Sequence, residues 1–175
     1  MLNNFLKNFT KDVEVHLTQE FDRNFERKAF FNKKWPGTKH TYRKGSLLNR
    51  TGKLRQSIKS NNKSNTIRWS SAFPYASLHN EGGKIVVTKK MISFFWAMFY
   101  KVNGVTNKGK GQRNKKLQDE AAKWKAMALM KVGTVMTIDQ RQFIGWHPMV
   151  DRHIKKVANL NLKELNDTIL KKLKK

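Results

Sequence analysis

Between Lys28 and Lys116 the chain carries 21 basic side chains and a single acidic one, Glu81. No other feature limits the fold as strongly. Like charges at that density repel one another in any compact state, so they must stay at the surface. The flanks differ. Residues 1–27 hold 4 basic and 5 acidic groups, and residues 117–175 hold 12 and 6, so most of the net +25 lies in the middle of the 175-residue chain. An anionic partner, either nucleic acid or an acidic protein surface, is the resulting expectation. Disorder is excluded by composition: 38% of residues are hydrophobic and 11% aromatic, which disordered chains lack. The length favours one domain, residues 1–175, with a flexible basic loop at 103–116.

Hydrophobic spacing gives the elements. Leu2, Phe5, Leu6, Phe9, Val13, Leu17, Phe21 and Phe25 recur at steps of three and four, which predicts one amphipathic helix over residues 2–34, stopped by Trp35-Pro36-Gly37. The polar residues Asn3, Asn4, Lys7 and Asn8 interrupt the start, which does not read as a signal peptide. Thr51 is placed to cap a short helix carrying Leu54 and Ile58. Residues 61–65 read as a turn-rich break, and Thr66–Ser71, with Ile67 and Trp69 alternating, as a strand. Tyr75–Asn80 suits a short helix stopped by Gly82, and Ile85–Val87 a strand. Thr88 caps a helix from Lys89 to about Val102 that is apolar around most of its circumference and needs neighbours on several sides. Trp124–Met130 fits strand or helix, with Val135–Ile138 as its hairpin partner in the first case. A helix or helix pair covers Pro148–Leu173. The fold class is therefore α+β: a long N-terminal helix, a small mixed or antiparallel sheet and C-terminal helices.

Chemistry is thinly represented. The absence of cysteine excludes thiol nucleophiles and Cys-ligated metals. No phosphate loop and no Gly-x-Ser-x-Gly elbow occurs. His147 and His153 are six apart, off a common helix face, and no His-x-x-x-His pair exists, so no metal site, cofactor or catalytic set is expected. His79 with Glu81 is the one pair on which a nuclease could be built. Aromatic residues stand beside basic ones at Trp35, Tyr42 and Trp69, but no helix-turn-helix, zinc-finger or RNA-recognition signature accompanies them. The residues therefore support sequence-independent DNA or RNA binding as one reading. The candidate contacts for DNA or an acidic partner are Lys39, Arg43, Lys44, Arg50, Lys53, Lys108, Lys110, Arg113, Lys115 and Lys116.

Five segments in one order carry a further signal. Ala29-Phe30-Phe31-Asn32-Lys33-Lys34-Trp35-Pro36 is followed by Leu48 and then Thr51-Gly52-Lys53-Leu54-Arg55-Gln56-Ser57-Ile58. Tyr75-Ala76-x-x-His79-x-x-Gly82-Gly83, Phe94-Phe95-Trp96-Ala97 and Arg141-x-Phe143-Ile144-Gly145 complete the series. From about residue 20 to residue 170 this order resembles the phage virion morphogenesis family, the tail-completion group of Mu G-like proteins. Where that family has prolines in its last motif, this chain has Asp139 and Gln142. The resemblance implies a non-enzymatic α+β virion subunit for tail completion or head–tail joining. It implies a homo-oligomeric ring, hexameric in form, at the head-proximal end of the tail or at the neck. Its partners would be other tail or neck proteins and genomic double-stranded DNA in the channel. Its location would be the virion, reached through the host cytoplasm, without membrane contact. On this reading Thr51, Gly52, Leu54, Arg55, Tyr75, Gly82, Gly83, Arg141, Phe143 and Gly145 shape turns and subunit contacts.

Overall fold

The computed structural model describes residues 2–37, 47–104 and 111–173. In chain order the elements are α1 (Leu2–Arg27), β1 (Ala29–Phe30), β2 (Lys33–Lys34), α2 (Lys53–Ser57), β3 (Ile58–Lys63), β4 (Thr66–Ser71), α3 (Tyr75–Glu81), β5 (Gly83–Val86), α4 (Lys89–Asn103), α5 (Gln112–Ala128), β6 (Val135–Ile138) and α6 (Pro148–Leu173). The class is α+β, with three antiparallel strand pairs among the described residues. The length favours one domain, yet packing divides these residues into two compact units. One comprises 2–37, 47–81 and 140–173, and the other 82–104 and 111–139.

In the first unit, α1 packs on α6. The four-residue step of Val13, Leu17 and Phe21 builds one buried stripe, which meets Val150 and Val157 of α6. The next step, Phe25, falls in a second cluster with Trp35, Leu54, Ala76 and Phe143. The predicted helix over 2–34 is too long: it stops at Arg27, and residues 29–34 form the β1–β2 hairpin. Lys28 turns the chain at φ 54° and Phe31 follows at φ 53°, while the Trp35 amide donates to the Lys28 carbonyl at 2.9 Å. The turn is favoured because Phe30 and Phe31 are both buried. On a helix these neighbours would point about 100° apart and one would leave the core.

The β3–β4 pair runs in register from Ile58↔Ser71 to Lys63↔Thr66. Residues 61–63, expected as part of a break, belong to β3, and only Ser64 and Asn65 turn, both at positive φ. Trp69 and Ile67 pack against the α1 core, as their alternation predicts, and the Trp69 indole donates to the Thr18 hydroxyl at 2.9 Å. Gly52, at φ 71°, rather than Thr51 is the N-cap residue of α2. The Thr51 hydroxyl accepts from the Lys53 amide at 3.5 Å.

In the second unit, α4 packs on α5 around Phe95, Trp124 and Ala128. Thr88 caps α4 as expected, its hydroxyl accepting from the Met91 amide at 3.3 Å. Residues 124–128 are helical, and β6 pairs with β5, not with a neighbouring hairpin strand. Ala121, Trp124 and Ala128 recur at three and four, so the helical choice buries all three on α4. Of the flexible loop expected at 103–116, Asn103 belongs to α4 and residues from Gln112 onward to α5, and 105–110 lie outside the described residues.

Candidate functional site

The sequence motifs of the first unit converge on the segment from Arg141 to Gly145. This strip has no regular structure of its own, so its backbone groups must be satisfied from elsewhere. Asn80, near the end of α3, accepts from the amides of Phe143 at 2.9 Å and Ile144 at 3.1 Å through one side-chain oxygen. Asn24, fully buried on α1, donates to the Phe143 carbonyl at 3.1 Å and accepts from the Phe31 amide at 3.0 Å. The Trp35 indole donates to the Gln142 carbonyl at 2.6 Å. Arg141 donates back to the Pro36 and Gly37 carbonyls, and its own amide donates to the His79 carbonyl at 2.7 Å. Phe143 is thereby driven between Phe25, Trp35 and Ala76 with no exposed surface.

Gly145 sits at φ 128°, where other residues are strained, so the backbone favours glycine at that turn, and the Gln142 Nε2 that a Cβ would meet at 2.7 Å is the movable end of a side chain. Gly82 is left-handed at φ 74°, as predicted for the end of α3, and Gly83 opens β5 at φ 159°. Leu54 is buried in the second cluster. Arg55 reaches α1, where it holds both oxygens of Asp22 and bonds Glu26 at 2.7 Å; those carboxylates raise its pKa further. Thr51 lies exposed at the start of α2, and Tyr75 stacks on Phe73 with its ring exposed.

His79 is half-buried, and its Nδ1 has no hydrogen-bond partner among the described residues. Burial, aided by nearby Arg141, pushes its pKa down. Glu81 is exposed at the end of α3. Among the basic candidates, Arg50, Lys53, Arg113, Lys115 and Lys116 are exposed. Arg113, Lys115 and Lys116 stand on the first turns of α5, not in a loop. Lys39, Arg43, Lys44, Lys108 and Lys110 lie outside the described residues.

A second polar cluster, absent from the sequence reading, joins α1 to α6. His16 Nε2 lies 2.8 Å from His153 Nδ1, and Glu20 Oε2 approaches His153 Nε2 at 3.9 Å. Glu20 is buried, and Arg23 and Arg27 each bind one of its oxygens. Burial alone would raise the Glu20 pKa, but the two arginines outweigh it and hold the carboxyl below its usual range. Only the His16–Glu20 spacing of four was visible in the sequence; His153 joins through the α1–α6 contact. Known protein families, characterised proteins and solved structures yield no match to this chain.

Proposed function

We propose that this chain is a structural phage virion subunit for tail completion or head–tail joining, assembling as a ring at the head-proximal end of the tail. The reading rests on the motif resemblance and is supported most directly by apolar surface in the second unit. Phe94 and Tyr100 of α4 are 54% and 65% exposed, although the helix is apolar on most sides. Val86 and Val135, directly paired across β5 and β6, are also exposed on their common face. A two-stranded sheet is marginal alone, and aromatic rings solvated on two sides of one helix are unfavourable. A second copy of the chain seated on these surfaces remedies both, and repetition of one such contact closes a ring.

Light scattering and electron microscopy of the purified chain, alone and with tail components, test the proposal. Discrete rings are expected, and Phe94→Asp with Tyr100→Asp should shift the mass towards monomer. A strict monomer at high concentration in the presence of tail components sinks the reading. Sequence-independent nucleic-acid binding is the second reading. It is favoured by one observation: residues 82–139 hold 12 basic against 3 acidic side chains, with Arg113, Lys115 and Lys116 exposed on α5.

A further inference from the structure

We propose that His16, Glu20 and His153 form a binding site for one transition-metal dication of the zinc class, stapling α1 to α6. Each residue offers a ligand atom that lies within 4.8 Å of the other two. The donor set of two imidazoles and one carboxylate suits zinc, nickel or cobalt and leaves room for water in the remaining positions. The scaffold is already in place. His16 and Glu20 are one turn apart on α1, so they share a face, and His153 comes from the helix packed against it. The two ring nitrogens now stand 2.8 Å apart, sharing one hydrogen. Ligands about 2.1 Å from a tetrahedral metal lie roughly 3.4 Å from each other. The rings therefore need to part by about half an ångström, and the Glu20 carboxylate to draw in from within 4.8 Å, to replace that hydrogen with a metal.

Arg23 and Arg27 have two opposing effects. They fix the Glu20 carboxylate, an outer-shell role common around metal ligands, while leaving each oxygen a further lone pair. They also bring positive charge close to a dication and weaken its binding. The site is thus expected to favour the metals with the greatest affinity for imidazole. This inference does not depend on the assembly reading, since the cluster lies within the first unit.

The test is titration of the tag-free full chain with zinc by calorimetry, with cobalt as the spectroscopic probe. One zinc per chain is expected, together with a cobalt visible band and a rise in Tm of about 5–10 °C at a hundredfold excess over Kd. His16→Ala and His153→Ala should each abolish the band and the Tm rise, and His79→Ala should change neither. Should either alanine variant fail to fold by circular dichroism, His16→Gln and His153→Gln replace it. Absence of saturable zinc binding, or unchanged stoichiometry in both histidine variants, overturns the proposal.

Discussion

At the residue scale, Asn24 and Gly145 separate two kinds of constraint. Asn24 is fully buried and satisfies one donor and one acceptor of two different backbone segments. Asn24→Ala leaves the Phe31 amide and the Phe143 carbonyl buried without partners, at a cost of about 2–4 kcal/mol. Gly145→Ala meets a movable side-chain end, so its cost is the backbone strain of a positive φ, about 1–3 kcal/mol. Urea unfolding of both variants checks the order, and a loss below about 1 kcal/mol for Asn24→Ala would remove its bracing role. His79 provides the pH dependence. Its folded pKa is depressed, so the unfolded chain binds more protons below about pH 6.5. Stability therefore falls as pH drops below that value and levels off once the folded pKa is passed. His153 is depressed as well, chiefly by burial, and adds to the same slope. Tm measured between pH 7.5 and 5 should fall less steeply in His79→Gln than in the parent chain.

At the element scale, Arg55 shows how a short helix is held. The five-residue α2 has no side-chain cap and could not persist alone. It is held by Leu54 in the second cluster and by Arg55 clamped on Asp22 and Glu26 of α1. The acidic partners are about half exposed, so solvent screens the pair strongly. Arg55→Lys keeps the charge but loses the two-pronged contact. A loss of about 0.5–1.5 kcal/mol in urea unfolding is expected, and Arg55→Ala should cost more because it also removes packing. The clamp was only half visible in sequence. The step of Leu54 and Ile58 signals the helix, whereas nothing local says that residue 55 meets residue 22. The same limit explains the other differences. The apolar step of α1 continues into Ala29 and Phe30, so the left-handed turn at Lys28 carries no glycine to announce it. The pairing of β5 with β6 spans about fifty residues and is decided by tertiary contact. Elements with caps or strict alternation, such as Thr88 before α4 and Ile67 with Trp69 on β4, were legible because their signals are local. The turn elements of the first unit were legible as a string, but their meeting at Phe143 was not.

At the scale of the whole molecule, the +25 charge becomes a question about partners rather than folding. The described acids are partly committed inside the chain: Glu20, Asp22 and Glu26 hold Arg23, Arg27 and Arg55. The exposed cations of the second unit have few acids nearby in sequence, so their charge faces solvent or a partner. A ring would multiply that field with each added copy, and association would then require salt or a counter-charged ligand. No described helix is long and apolar enough to cross a membrane, and exposed apolar side chains occur on α4 and the β5–β6 pair and also at Trp146 and along α6. Two partners can be told apart by the salt dependence of binding. For duplex DNA, the logarithm of affinity falls linearly with the logarithm of salt concentration, by about 0.9 per phosphate neutralised. If α5 lines a DNA path, changing Arg113, Lys115 and Lys116 together to Gln reduces that slope by up to about 2.7, equally for unrelated sequences. Fluorescence anisotropy between 50 and 300 mM salt measures it. An unchanged slope assigns the phosphate contacts to other cations. Absence of binding at the lowest salt assigns the charge to an acidic protein neighbour, in which case the triple variant should instead weaken binding to acidic proteins.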